Sequence, residues 1–188
     1  QMCIRDSCKI EIRGTDAAEF LNRIYTNSWL KLEIGRCRYG LMLGEDGMVM
    51  DDGVTTRLSD NRNLMTTSTG GAAHVLHWLE RWLQTEWPLL KVYLTSVTDH
   101  WAVISLAGPE SRALLEDLSE QVDLSRQSLP FMSFCEGRVA GIPARLARIS
   151  FSGELAYEIS VAADFGLSLW QAVIAAGARY SLTPYGTE

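Results

Sequence analysis

Asp51 and Asp52 stand side by side inside an otherwise apolar strand-like run, with Met48-Val49-Met50 before them and Val54 after. Neighbouring side chains on a strand point to opposite faces, so one of the two acids is expected inside a pocket or core. A carboxylate taken out of water needs hydrogen-bond donors or a cation; otherwise its pKa rises and it becomes a candidate general acid or base.

A second acidic pair lies in Ser150-Phe151-Ser152-Gly153-Glu154-Leu155-Ala156-Tyr157-Glu158, where Glu154 sits in a turn and Glu158 in the strand that follows. The even spacing can bring both to one side. A carboxylate there can accept two parallel hydrogen bonds from adjacent N–H donors of a heterocycle. Read without a partner, the same segment is a solvated hairpin edge, and Asp51-Asp52 is a polar strand end.

Other chemistry finds less support. His74 and His77 lie three apart on a helical stretch with no third ligand in sight, so no metal site is expected. Thr69-Gly70-Gly71 ahead of a helix reads as a plain strand-to-helix turn, because no phosphate-binding glycine motif accompanies it. Cys37 and Cys135 have no histidine partner in sequence, and the four cysteines have no paired spacing.

These groups must be positioned by a folded scaffold. The 188 residues are 47% hydrophobic and 21% charged, which is ordinary for a globular chain. Seventeen basic against twenty-three acidic residues give a net charge of -6, which argues against nucleic acid as a partner. No apolar run approaches the roughly 20 residues of a membrane-spanning helix, so no membrane partner and a cytoplasmic location are expected.

The pattern predicts strands over 9–13, 37–43, 48–58, 63–69, 91–97, 101–106, 133–139, 144–150 and 155–161. Helices are expected through Phe20, Leu21 and Ile24, over 72–86, after Gly108-Pro109-Glu110, and from a cap at Asp164. Thr15-Asp16 with Glu19 predicts a capped start to the first helix. Mixed runs of strands and helices make the class α+β, with antiparallel or mixed sheets packed by helices. Residues 1–8 fit no pattern and are expected to be non-native or divergent; a first lobe is expected over 9–107 and a second, incomplete one over 108–188.

The hairpin around Gly44-Glu45-Asp46-Gly47 decides which acid meets Tyr39. A three-residue loop with left-handed Gly47 pairs Gly44 with Met48 and puts Tyr39 and Asp51 on one face; a two-residue loop puts Asp52 there instead. The residues favour the first.

At Arg36 to Leu43, Asp46 to Val54, Ala107-Gly108-Pro109 and Ile149 to Glu158, the chain resembles the aminomethyltransferase, or glycine-cleavage T-protein, family. Within that family Thr66 to Gly71, Leu83 to Pro88, Ala140 to Arg145 and Thr183 to Glu188 are most similar to alpha subunits of heterotetrameric sarcosine oxidases. The resemblance implies most of the first two lobes of a three-lobed ring with tetrahydrofolate in its channel, truncated at the C-terminus. It implies Asp51 as the catalytic aspartate with Asp52 as fallback, and Tyr39, Glu158 and Glu154 as folate-binding residues. In its sarcosine oxidase form it further implies hetero-oligomeric partner subunits, flavin and NAD held elsewhere in the complex, and capture of a one-carbon unit as methylene-tetrahydrofolate. A glycine-cleavage aminomethyltransferase and a non-catalytic folate-binding module are the alternatives. Phe151-Ser152-Gly153 replaces the family's Tyr-Thr-Gly, which removes one phenolic hydroxyl, and a basic residue the family supplies after Thr187-Glu188 lies beyond this chain. The fragment alone is therefore expected to be inactive.

Overall fold

The computed structural model describes residues 2–4 and 8–186. The chain divides into two compact units: one is Ser7–Thr98, and the other is Asp99–Glu188 together with Gln1–Asp6. Each is one antiparallel sheet with helices on a single face, so the class is α+β as the pattern predicts.

In chain order the strands are β1 (Met2–Ile4), β2 (Cys8–Arg13), β3 (Cys37–Leu43), β4 (Val49–Ser59), β5 (Arg62–Thr67), β6 (Tyr93–Ser96), β7 (Trp101–Ala107), β8 (Ser119–Glu120), β9 (Ser133–Val139), β10 (Ile142–Arg148) and β11 (Ala156–Ala162). The helices are α1 (Ala17–Ile24), α2 (Ala72–Thr85), α3 (Ser111–Leu118) and α4 (Gly166–Gly177).

The first lobe orders its sheet β3-β4-β5-β2-β6. Ile10, Ile12 and Met65 alternate inward along their strands and are fully buried against Phe20 and Leu21 of α1 and Val75 and Leu79 of α2. The second lobe orders its sheet β1-β7-β11-β10-β9-β8, with Leu106, Leu146, Tyr157 and Ile159 packed against Leu114 and Leu115 of α3 and Leu169 and Val173 of α4.

Three expectations are corrected. The first lobe was expected to run to residue 107, but β7 sits between β1 and β11 in the second lobe's sheet, and the division falls at Thr98. An apolar strand pattern states that a strand is buried without saying in which sheet. Asp16 precedes α1, yet its carboxylate accepts the Lys91 N–H at 2.7 Å and caps nothing; it ties the helix start to the segment before β6. Asp164 lies in a short 3-10 turn, and Phe165 is the residue before α4.

The proposed non-native N-terminus lies partly outside the described residues; of what is described, Met2–Ile4 pairs with β7 and Cys8 opens β2. The short β8 strand was not anticipated. No helix among the described residues is long and apolar enough to cross a membrane.

Candidate functional site

The β3–β4 hairpin begins as its sequence predicts. The Gly44 N–H donates to the Met48 carbonyl at 2.8 Å, and Gly47 takes a φ of +77°, where a side chain would be strained. One residue pair further on the ladder shifts: Leu43 pairs with Val49, but Met42 pairs with Asp51, so Met50 is an extra residue in β4. A bulge of one residue reverses every side chain beyond it. Tyr39 therefore shares its face with Asp52, and its hydroxyl donates to Asp52 Oδ2 at 2.8 Å. The expectation that Tyr39 and Asp51 look the same way is overturned by this second irregularity, not by the loop.

Asp51 turns inward and is 4% exposed. Its oxygens accept the Ser68 N–H, at 3.3 Å from each, and the Ser68 hydroxyl donates to Oδ1. Ser68 reaches it because β5 lies unusually close to β4. A Cβ on Gly53 would fall 1.9 Å from the Thr66 carbonyl oxygen. The Thr66 hydroxyl bonds both the N–H and the C=O of Val54, at 3.2 and 2.9 Å. Gly71, just before α2, lies against the same pair: a Cβ there would stand 3.0 Å from Asp51 Oδ1. The strand-to-helix turn thus turns its donors on the protein's own carboxylate.

Burial pushes the Asp51 carboxyl above the usual carboxylate range; the Ser68 donors oppose the shift and the neighbouring Asp52 charge adds to it. The Tyr39 phenol is raised chiefly because its hydroxyl donates to Asp52. Tyr25, buried beneath the same strands, is raised by desolvation, with the Asp51 and Asp52 charges adding.

The two acids have separate settings. Asp52 is exposed beside an oriented phenol and can meet a cation or a ligand N–H; Asp51 faces Ser68. The sequence named both acids but missed Ser68, which lies 17 residues away and comes close only when β5 folds along β4.

In the second lobe Glu158 sits on β11 between Ala147 and Ser105, on the face opposite buried Tyr157 and Ile159. Glu154 lies before the strand, in the loop, where it borders a cavity of about 360 Å³ with Pro109, Glu110, Ser111, Leu114 and Tyr180. Glu158 does not line that cavity. The spacing that can place both acids together is divided between loop and strand. Among the described residues no group of three or more His, Cys, Asp or Glu side chains is placed to hold a metal ion.

The sequence model of the GCVT N-terminal domain matches residues 4–188. The chain belongs to that family. Its relatives include the sarcosine oxidase subunit alpha of Corynebacterium sp. (strain P-1), 58% identical over 181 residues, which are 96% of this chain but 19% of that protein. The aminomethyltransferase of Geobacillus kaustophilus is 31% identical over 179 residues, 95% of this chain and 47% of that protein. The glycine cleavage aminomethyltransferase T of Bartonella henselae superposes with a TM-score of 0.81 at 22% identity, covering 99% of this chain and 47% of that one. The GCVT-family chain thus spans under half the length of each of these three relatives.

Proposed function

We propose that this chain is the folate-binding part of a sarcosine oxidase alpha subunit, capturing the one-carbon unit of oxidised sarcosine on tetrahydrofolate to give methylene-tetrahydrofolate. The difference between 58% identity to such a subunit and 31% to an aminomethyltransferase favours this over glycine cleavage. The relatives' name makes them parts of a larger assembly, so the partners are other subunits, in the cytoplasm, with flavin and NAD held there. The isolated piece is inactive on this reading.

The observation that carries the chemistry is the exposed Tyr39–Asp52 pair. An ionised carboxylate held by a phenol can orient an iminium and stabilise its positive charge while the carbon–nitrogen bond to folate forms. In this reading Asp52 takes the catalytic role, Tyr39 orients it, and Glu158 pairs with the amino-pyrimidinone edge of the pterin. Glu154, bordering the cavity beside Pro109 and Ser111, serves the folate site less directly.

Asp52→Asn in the full complex should slow methylene-tetrahydrofolate formation by about 10²–10³, the usual cost of removing one electrostatic stabiliser. Sarcosine oxidation should continue, with the uncaptured imine hydrolysing to formaldehyde and glycine. Equal loss of oxidation and capture would defeat the division of labour. A change in folate affinity without a change in transfer rate would point to the non-catalytic module.

A further inference from the structure

We propose that Asp51 is a positioning residue: by binding Ser68 at the start of the turn into α2, it holds the bulged register of β4 that sends Asp52 outward to Tyr39. The catalytic consequence rests on the role proposed for Asp52; the positioning does not.

Three observations converge. The hairpin loop by itself would set Tyr39 opposite the wrong parity, since Gly44 pairs with Met48; the extra residue at Met50 makes the correction. A bulge leaves its residue outside the ladder and disrupts pairing locally, so a contact made right beside it helps decide where the register shifts. Asp51 is the first residue after the bulge and is gripped from outside the hairpin, by the backbone and hydroxyl of Ser68. A strand that gave up the bulge would move Asp51 to the outer face and Asp52 to the inner one, so the inner Asp51–Ser68 bonds and the outer Asp52–Tyr39 bond exist in the same register.

The space around the grip is equally specified. At Gly71 a Cβ would come within 2.7 Å of the Ser68 oxygen and 3.0 Å of Asp51 Oδ1, so any side chain there presses on both partners. Gly53 and the Thr66–Val54 bonds bring the end of β5 near enough for Ser68 to reach across.

The test reads Tyr39 itself in the full complex, by ultraviolet difference titration of each protein against its Tyr39→Phe counterpart. The native phenol should titrate above an ordinary tyrosine because it donates to Asp52. Ser68→Ala and Gly71→Ala leave the charge of Asp51 in place, so a displacement toward the ordinary value in these two reports geometry. Ser68→Thr keeps the hydroxyl and should restore the native titration. Ser68→Ala removes one hydroxyl from an exposed residue and leaves the core side chains unchanged, which keeps the test readable if Gly71→Ala does not fold.

A native Tyr39 titration in folded Ser68→Ala would overturn the proposal. So would a displacement confined to Asp51→Asn, which would be an effect of charge alone. If Tyr39 responds while folate-dependent capture does not, positioning stands and the catalytic reading of Asp52 fails.

Discussion

Replacing Gly53 with alanine should be among the most damaging single-methyl changes in the first lobe. The new Cβ would stand 1.9 Å from the Thr66 oxygen, 2.9 Å from its carbonyl carbon and 3.4 Å from the Thr67 Cα. All three are backbone atoms, so no side chain can swing aside. Against an ordinary C···O separation of about 3.3 Å, β5 must retreat by roughly 1.4 Å. That retreat breaks the two Thr66 hydroxyl bonds to Val54, at about 1 kcal/mol each, and adds overpacking of about 1–3 kcal/mol, for a loss of about 3–5 kcal/mol. Urea unfolding followed by tryptophan fluorescence suits the measurement, because Trp29, Trp78, Trp82 and Trp87 all belong to this lobe. Gly70→Ala is the control: nothing lies within 4 Å of its Cβ, and its φ is not in the left-handed region, so the change should stay within about 1 kcal/mol. A Gly53→Ala loss below about 1 kcal/mol would refute the close approach of β4 and β5 on which the placement of Ser68 depends.

The remaining predictions concern acidity and packing. Asp51 has a raised pKa in the folded lobe, so the native state holds its proton more tightly than the unfolded chain does. Its contribution to stability is full below the unfolded value, near 3.8, and is lost as pH rises through the folded one. Unfolding midpoints measured across that acid window should therefore fall with rising pH less steeply in Asp51→Asn than in the native protein; identical slopes would contradict the burial of Asp51. Leu146, fully buried in the second lobe, should lose about 2–5 kcal/mol on truncation to alanine, read as a lower thermal midpoint. A cost below 1 kcal/mol there would contradict the core described for β10.

Much of the scaffold is legible because it depends on local pattern. Cys37–Leu43 and Ser133–Val139 have the predicted limits, since runs bounded by turn residues mark their own ends. The α2 helix follows from the recurrence of apolar side chains along one face, and Pro88 lies just beyond its end. Asp51 and Asp52 were identifiable as a pair with opposite destinations because strand geometry demands it. The family too was legible, carried by the strings around Arg36 to Val54 and Ile149 to Glu158.

What the sequence left open depended on contacts between distant segments. The turn chemistry of Gly44 to Met48 was read correctly, yet the destination of each acid depended on one extra residue at Met50. Similarly, β7 reads as a buried strand in any sheet, and only its partners β1 and β11 assign it to the second lobe. Asp16 looked like a helix cap and instead binds Lys91, far along the chain. Periodicity and turn chemistry act over a few residues and are written locally, whereas strand register, sheet membership and the partner of a buried carboxylate are set by which distant backbone comes within hydrogen-bonding reach. Asp51 was visible from the start, but its role became readable only when Ser68 was folded against it.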